Sequence, residues 1–501
     1  MESETRKQHH FNAKRTLFVL IGAMQLAGCT NAGNAVEFCL DGEFDLGARY
    51  QGMHPAPGER YPTRFCYVTD DTSGRIQFSG SGQSNPDMQG EFVVSYFVPD
   101  TVRIVNREAP PDIEFTGKRI IYEALRHRRV DPKLFVAELE AHPEWIVGES
   151  DDGWRTVNYP GSPFESRVRV EAGKLSEVRT QADVPLRGRV PVVWRWLWPD
   201  TGAPEVRVLI EDDVVFAAQA SWRELSAREA RDLWRLSDGR EAVTLDGDRW
   251  PAKIDMQMQT IVDGVYLVTG VRTGFAHMVL ETAGGLVVAD APAGWVELQQ
   301  LPPADLVPGY GISRLSENFV DFLEASFPGT PIRAVAITHA HDDHAGGARA
   351  FAAAGADVYA PEHVAAFLSD ALNRTTMPED RLTRQGGKVT ITPVHDRLTL
   401  DDQNNTIELM VLSHGPHVFA ALGVWARDAG VFFQSDLHVP NSDAETPRDD
   451  RVATECWFAA WAVAHLTPDT IVINSHSRPQ TPVARLARYS DSESCRALAI
   501  K

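Results

Sequence analysis

Ten consecutive residues combine the side chains that most often bind metal ions with the glycines that let a chain turn sharply. The segment THAHDDHAGG spans residues 338–347 and holds three histidines and two aspartates within six positions. Neutral imidazole nitrogens and carboxylate oxygens are ligands that Zn²⁺ and related divalent ions prefer. Such ions lower the pKa of a bound water toward neutrality and polarise an electrophilic group. The segment therefore predicts a metal site with hydrolytic chemistry.

The residues on either side of this segment show how it is positioned. It follows the apolar run AVAI and precedes the helical pattern ARAFAAAG. We expect a short buried strand with the ligands in the loop at its end, where side chains can converge without disturbing the core. His339 and His341 alternate and can share one ion, whereas Asp343 and His344 continue the turn and can reach a second. The two glycines then allow a tight turn into the helix.

The pattern HxHxDH resembles the signature of the metallo-β-lactamase-fold superfamily of metallo-hydrolases. That family has a third histidine on a later loop, a bridging aspartate beyond it and a last histidine near the C-terminus. His414 and His417, in LSHGPHVFAALG, compete for the third position. The resemblance favours His417, because the family usually has this histidine after a Gly-Pro turn at about the spacing seen here, 19 residues before Asp436. His476, in IVINSHSRP, is the remaining match, with serines where the family more often has glycines.

The resemblance covers residues 256–485 and implies two metal positions. The implied ligands are His339, His341 and His417 at one metal, Asp343, His344 and His476 at the other, and Asp436 between them. It further implies two Zn²⁺ ions per chain, although the ligand types leave Fe and Mn open. A metal-bound hydroxide would attack the substrate, and Asp343 would be the catalytic residue that orients it.

Two departures narrow the class within this fold. Asp436 stands where one class of β-lactamases has a cysteine ligand, which disfavours antibiotic hydrolysis of that type. His341 stands where flavodiiron proteins have a carboxylate, which argues against reduction of O₂ or NO. The chain is thereby closer to the glyoxalase II, lactonase and esterase branches. We expect hydrolysis of an ester, lactone, amide or related electrophile. Two alternatives stay open: a mononuclear iron dioxygenase on the same fold, and a non-catalytic lipoprotein with a binding role.

Two sequence patterns predict an α+β fold with two domains. Residues 29–250 contain alternating, β-branched stretches such as RIQFSGSG and PVVWRWLW, which predict a mainly antiparallel β-sheet domain. One helical pattern, RIIYEALRHRRVDPKLFVAELEAH, interrupts them. This domain loosely resembles the half-barrel of periplasmic lipoprotein carriers. His127 and His142 lie in the helical stretch and are expected at the surface.

From residue 256 onward, short apolar strands alternate with helical segments such as SENFVDFLEASF and PEHVAAFLSDAL. This alternation predicts sheets covered by helices. The resemblance implies the four-layer αβ/βα arrangement of the metallo-β-lactamase fold, with the metals at one edge. His277, in the GFAHM turn, is a candidate for the mouth of the pocket.

The N-terminal residues predict export and attachment to a membrane. Basic residues in MESETRKQHHFNAKR precede the apolar stretch TLFVLIGAMQLA, which is too short to cross a bilayer. The following LAGC resembles the lipobox of bacterial lipoproteins. This resemblance implies that residues 1–28 are a signal peptide and that Cys29 is acylated. Since no aspartate follows Cys29, we expect an anchor in the cell envelope at the periplasmic face of the outer membrane.

The remaining cysteines and the charge agree with an exported enzyme. Cys39 with Cys66 and Cys456 with Cys495 form two local pairs, which predict disulfides in an oxidising compartment. Free buried cysteines are the alternative.

The 501 residues carry a formal net charge of −20 without a Lys/Arg-rich tract, so no nucleic-acid partner is expected. The expected partners are a small-molecule substrate and a membrane, contacted through the lipid anchor; the oligomeric state stays open.

Overall fold

The structure of the chain is a computed structural model. It describes residues 35–45, 60–70, 75–85, 88–98, 101–105, 112–116, 130–159, 164–234, 242–246, 256–271, 275–293, 312–400, 406–439, 446–447, 451–476 and 480–499. The predicted signal peptide, Cys29 and His127 lie outside these residues. Among the helices described, none combines the length and the apolar character that a bilayer-spanning segment needs.

A 14-stranded sheet forms the N-terminal part of the described chain. Its strands are β1 (Val36–Asp45), β2 (Arg60–Asp70), β3 (Arg75–Asn85), β4 (Met88–Val98), β5 (Thr101–Val105), β6 (Asp112–Thr116), β7 (Ile146–Glu149), β8 (Trp154–Val157), β9 (Ser166–Glu171), β10 (Lys174–Val184), β11 (Gly188–Leu197), β12 (Glu205–Ile210), β13 (Asp213–Glu224) and β14 (Ala242–Asp246). Their spatial order is β14-β6-β5-β4-β3-β2-β1-β13-β12-β11-β10-β9-β8-β7. Neighbours are antiparallel except β14 and β6, which are parallel. The predicted antiparallel domain is thus confirmed.

Helix α1 (Pro132–Ala141) packs on this sheet through its buried residue Phe135. Within the predicted helical stretch, the described helix begins at Pro132, because the Asp131 side chain accepts the backbone N–H of Lys133 as its N-cap. A single 3₁₀ turn follows at Pro143–Trp145, and a second helix, α2, spans Ala227–Trp234. His142, at the end of α1, is exposed as expected and stacks on Trp145.

Both predicted disulfides are present. Cys39 and Cys66 face each other across the antiparallel pair β1 and β2, and the disulfide joins these neighbouring strands. Cys456 and Cys495 are joined near the C-terminus. The alternative of free buried cysteines is therefore wrong for these four residues.

Two further sheets form the C-terminal part. The first has seven strands in sequence order: β15 (Gln257–Val262), β16 (Val265–Thr269), β17 (Ala276–Thr282), β18 (Gly285–Ala289), β19 (Ile332–Ala336), β20 (Asp357–Pro361) and β21 (Ile391–Val394). The second has six: β22 (Arg397–Leu400), β23 (Ile407–Ser413), β24 (Ala420–Ala426), β25 (Val431–Ser435), β26 (Ile471–Asn474) and β27 (Gln480–Pro482). Strands β18 to β21 are parallel, as are β25 and β26.

Helices cover the outer face of each of these sheets. The described helices of this part of the chain are α3 (Arg314–Ser326), α4 (Asp342–Ala345), α5 (Ala348–Ala353), α6 (Glu362–Leu372), α7 (Arg381–Arg384), α8 (Val452–His465), α9 (Val483–Ser490) and α10 (Glu493–Ala499). Helices α3, α5 and α6 pack on the seven-stranded sheet, and α8 and α9 pack on the six-stranded sheet. A shared apolar core, including Leu267 and Phe433, lies between the two sheets. The predicted four-layer αβ/βα arrangement is confirmed.

Candidate metal centre

All seven predicted ligands converge at one edge of the two C-terminal sheets. They come from four places: the segment after β19, the loop between β23 and β24, the end of β25 and the end of β26. Strands β25 and β26 are parallel neighbours, so their carboxyl ends meet at one edge of the six-stranded sheet. The ligand contacts place the end of β19, from the other sheet, beside that edge. The ligands are His339, His341, Asp343, His344, His417, Asp436 and His476.

Four of these side chains form a first group. One ligand atom from each of His339, His341, His417 and Asp436 lies within 4.8 Å of the others. The imidazoles of His339 and His341 approach most closely, with Nε2 of His339 2.8 Å from Nδ1 of His341. The His417 ring makes edge-to-face contacts with both, and its centroid lies 5.3 Å from that of His339 and 4.8 Å from that of His341. This spacing suits three imidazoles around one ion.

Three side chains form a second group beside the first. Ligand atoms of Asp343, His344 and His476 lie within 4.8 Å of one another, and Asp343 Oδ1 is 3.6 Å from His344 Nε2. The His476 ring is held edge-on by Phe275, with centroids 4.4 Å apart, while its backbone N–H donates to Asn474 Oδ1 over 2.8 Å. These contacts hold His476 beside Asp343 and His344.

Asp436 contacts members of both groups. Its Oδ2 lies 3.5 Å from His417 Nε2 in the first group and 3.2 Å from His344 Nε2 in the second. Its Oδ1 lies 3.0 Å from His476 Nε2 and accepts a hydrogen bond from Ser475 Oγ over 2.6 Å. Asp436 is thus placed between the two groups, where the resemblance expects a bridging residue.

Asp290 supports the centre and is not among the residues predicted from the sequence. Its fully buried carboxylate lies 2.9 Å from His344 Nδ1 and accepts the backbone N–H of Thr338 over 2.8 Å. Ser435 Oγ donates to the same carboxylate over 3.1 Å. A proton on Nδ1 of His344 that is donated to Asp290 leaves Nε2 as the nitrogen that can bind a cation. The only feature of the sequence that could have indicated Asp290 is its position directly after the apolar run GLVVA.

The serine before His476 also has a definite contact. Ser475 stands where the family more often has glycine, and its hydroxyl hydrogen-bonds Asp436. Its backbone N–H donates to the carbonyl of Ser435, so the ends of β25 and β26 are joined behind the site. The departure from the family pattern thus supplies a hydrogen bond to the carboxylate that contacts both groups.

Two of the histidines considered from the sequence lie outside both groups. His414 is exposed, adopts a φ of 64° and meets Phe419 edge-on, so it is His417 that joins the cluster. His277 is fully buried in β17, where Nδ1 lies 3.2 Å from the Ala289 carbonyl and the ring packs on Phe319. The expectation that His277 lines the mouth of a pocket is therefore wrong: both faces of its strand are covered.

Residues 315–476 match the family model described as the Metallo-beta-lactamase superfamily. The C-terminal domain has the metallo-β-lactamase fold. Two solved structures are similar to the chain. A metallo-beta-lactamase from Pontibacter korlensis is 16% identical with a TM-score of 0.34, and the match covers 47% of this chain and 98% of that chain. A metallo beta lactamase from Hirschia baltica is 17% identical with a TM-score of 0.33, and the match covers 47% of this chain and 96% of that chain. No curated protein matches the sequence.

The surroundings of the centre in the metallo-β-lactamase domain favour the forms of His339 and Asp436 that can bind a metal. Burial lowers the pKa of His339 well below its ordinary value, and the neighbouring His344 acts in the same direction. Burial works to raise the pKa of Asp436, but His344 and His476 outweigh it and hold that pKa well below its ordinary value. The imidazole of His339 is therefore neutral, and Asp436 is a carboxylate, as metal ligation requires.

Three carboxylates around His344 favour a positive charge at this position. Burial opposes protonation of His344, but the carboxylates of Asp436, Asp343 and Asp290 outweigh it and raise its pKa well above the ordinary value. Its Nε2 is buried and lies 3.2 Å from Asp436 Oδ2. A divalent cation bound by Nε2 would balance the negative charge of the three carboxylates. The residues present fit a divalent metal site.

Proposed function

We propose that the chain is a metal-dependent hydrolase with a dinuclear zinc centre. The observation that carries this proposal is the position of Asp436, whose two oxygens lie 3.0 Å from His476 Nε2 and 3.5 Å from His417 Nε2. A single ion needs only three or four ligands of one group. A buried carboxylate in contact with both groups could serve two neighbouring ions at the spacing found in two-metal sites.

Each residue would have a distinct role. His339, His341 and His417 would hold one ion, Asp343, His344 and His476 the other, and Asp436 would serve both. Two divalent ions bound there would acidify a water molecule and polarise the electrophilic group of the substrate. Asp343 would hydrogen-bond the attacking water and take up its proton, because its carboxylate is the one that solvent reaches: 21% of the side chain is exposed, against 8% for Asp436.

The same exposures indicate how a substrate approaches. The side chains of His339, His344 and His417 are nearly fully buried, whereas that of His476 is 26% exposed. The partly exposed ligands are His341, Asp343 and His476, and the substrate would therefore enter beside them. An ester, lactone, amide or related electrophile of a small molecule fits the chemistry of the ligand set.

Replacing Asp343 by Asn tests the proposal. The amide keeps the size of the side chain and one acceptor oxygen, but it removes the charge that would bind the second ion and take up the proton. We expect Asp343→Asn to lose one of two zinc equivalents and at least about 10²-fold in turnover. The neighbouring Asp342, which lies outside both groups, is the matched control, and Asp342→Asn should retain both zinc ions.

The measurements are the zinc content of the purified full chain and hydrolysis across esters, lactones, β-lactams, thioesters and phosphodiesters. An Asp343→Asn variant with two zinc ions and unchanged turnover would show that this residue has neither role. One tightly bound iron per chain would instead favour the dioxygenase alternative.

We also propose that the protein is an exported lipoprotein, anchored through Cys29 in the cell envelope at the periplasmic face of the outer membrane. The LAGC sequence supports this, and so do the two disulfides, since disulfides persist mainly in oxidising compartments. The native protein should partition into detergent with the membrane fraction, and Cys29→Ser should abolish acylation. An unlipidated and freely soluble native protein would rule out the anchor.

A further inference from the structure

The N-terminal sheet reaches into the metallo-β-lactamase domain through one hairpin turn. Strands β10 and β11 are joined at residues 184–188, a segment we name the insertion turn. Leu186, near its tip, is buried in the apolar cluster that lies under α3 and α5 rather than in the core of its own sheet. Leu186 adopts a φ of 64°, which is unusual for a branched side chain and indicates that packing holds it there.

Two hydrogen bonds fasten the insertion turn and the residue after it to the loop after α6. The side-chain Oγ1 of Thr376 donates to the carbonyl of Arg187 over 2.6 Å, and the backbone N–H of Arg189 donates to the carbonyl of Thr376 over 2.6 Å. Gly188 has a φ of 79°, and a Cβ there would lie 2.3 Å from the Thr376 carbonyl oxygen. The two backbones thus approach as closely as glycine permits.

The insertion turn also touches the segment that carries two of the predicted ligands. Helix α4 holds Asp343 and His344, and Gly346 follows it directly. A Cβ built on Gly346 would lie 3.1 Å from Pro185 Cβ and 2.5 Å from Ala293 Cβ. Pro185 therefore packs against the back of the ligand segment with no room for a side chain between them.

A second path joins the same two regions through α3. Leu315 of this helix is buried in the core of the N-terminal sheet. The next residue, Ser316, donates from Oγ to the carbonyl of Pro292 over 2.8 Å. The backbone N–H groups on either side of Pro292 donate to the carbonyls of His344 (2.7 Å) and Asp342 (3.2 Å). The N-terminal sheet thus supports α4 both directly and through α3.

Helix α4 has only four residues, too few to hold its own conformation by internal hydrogen bonds. Its orientation must come from the groups packed around it, and metal ligands need to be held within about 0.5 Å of the binding geometry. Because packed interiors transmit displacement, a change at the insertion turn should move Asp343 and His344.

We propose that the N-terminal sheet is a positioning element of the metal centre. Leu186 and Pro185 fix α4, and thereby hold Asp343 and His344 where they would bind the second ion. This inference rests on the metal site of the proposed function. It means that the N-terminal sheet contributes to metal binding by fixing the position of α4, and is not a domain that functions independently of the metal centre.

The test compares two Leu→Ala variants of the full chain. Leu186→Ala removes the side chain at the tip of the β10–β11 hairpin. Leu175→Ala removes an equally buried leucine at the other end of β10, inside the N-terminal core. Zinc affinity is measured by competition with a chelator, and hydrogen exchange of residues 338–347 is measured in the metal-free protein.

We expect Leu186→Ala to bind the second zinc at least tenfold more weakly and to exchange faster over residues 338–347. Leu175→Ala should match the wild type in both measurements, and the volume-conserving Leu186→Met should restore both. If Leu186→Ala does not fold, Pro185→Gly, which removes the contact with Gly346 but leaves Leu186 in place, should give the same two changes.

The proposal is overturned if Leu186→Ala, or Pro185→Gly in its place, keeps the zinc affinity and the hydrogen exchange of the wild type. It is also overturned if Leu175→Ala changes both measurements as much as Leu186→Ala does. Both measurements are made without substrate. A chain that hydrolyses nothing, yet loses its second zinc in Leu186→Ala, would refute the hydrolase and leave the positioning role standing.

Discussion

Replacing Asp290 by Asn tests whether the buried carboxylate behind His344 selects the tautomer that a metal needs. Asn is nearly isosteric and tolerates the φ of 67° that Asp290 adopts. The carboxylate faces three donors: His344 Nδ1 at 2.9 Å, Thr338 N–H at 2.8 Å and Ser435 Oγ at 3.1 Å. An amide offers one acceptor oxygen and one NH₂ group, so it cannot accept from all of them.

The backbone N–H of Thr338 cannot become an acceptor, so the amide oxygen must stay with it and the NH₂ group must turn toward His344. That arrangement favours the tautomer with its proton on Nε2, the nitrogen that lies 3.2 Å from Asp436 and would bind the ion. Losing a hydrogen bond to a charged group costs about 1.5–3 kcal/mol. Since about 1.4 kcal/mol is a factor of ten, we expect the Asp343, His344 and His476 group to bind zinc about 10- to 100-fold more weakly.

The assay is zinc competition with a chelator on the full chain, with Asp380→Asn as the matched control. Asp380 is also buried and accepts from Arg349, Ser313 and the backbone N–H of Thr383, but it lies outside both ligand groups. The control should lose stability and keep both zinc affinities. Wild-type zinc affinity in Asp290→Asn, or an equal loss in Asp380→Asn, would refute the tautomer reasoning.

Three further expectations concern the ligands, the disulfide and the pH dependence. His417→Ala should lose zinc at the first group while His414→Ala keeps both equivalents; the reverse result in metal analysis would contradict the assignment. Serine at both Cys456 and Cys495 should lower the free energy of unfolding by about 2–4 kcal/mol in urea, and an unchanged midpoint would count against it. Burial lowers the pKa of His277 from 6.5 to about 4. The unfolding free energy that depends on the neutral imidazole is therefore fully present above pH 6.5 and is lost as the pH falls toward 4. Between pH 7 and 4 the metal-free wild type should lose up to about 3 kcal/mol more unfolding free energy than His277→Leu, and equal losses would disprove this.

The ligand segment was predictable because its information is local. Residues 338–347 place the ligand types and the glycines side by side, and a strand end fixes the edge to which they go. His417 was predictable through the resemblance, because the family usually has this histidine after a Gly-Pro turn and at this spacing before the bridging aspartate. The cysteine pairs and the antiparallel sheet were predictable for a similar reason, since composition and two-residue alternation are properties of short stretches.

The supporting residues depend on contacts that no local pattern encodes. Asp290 meets a backbone N–H 48 residues away because β18 and β19 are parallel neighbours, and a lone aspartate after an apolar run is common in any sequence. The PLRG stretch is typical of an exposed hairpin turn, and Leu186 is buried only because a second domain surrounds it. His277 was misplaced because alternation does not reveal that helices and a second sheet cover both faces of β17.

The most direct test of the central claim, a two-zinc hydrolase, is to titrate the metal-free full chain with zinc while following hydrolysis of the substrate panel. We predict that hydrolysis of at least one class rises as the second equivalent binds and reaches its plateau at two zinc ions per chain. A plateau at one zinc ion, or two bound zinc ions without hydrolysis in any class, would contradict the account.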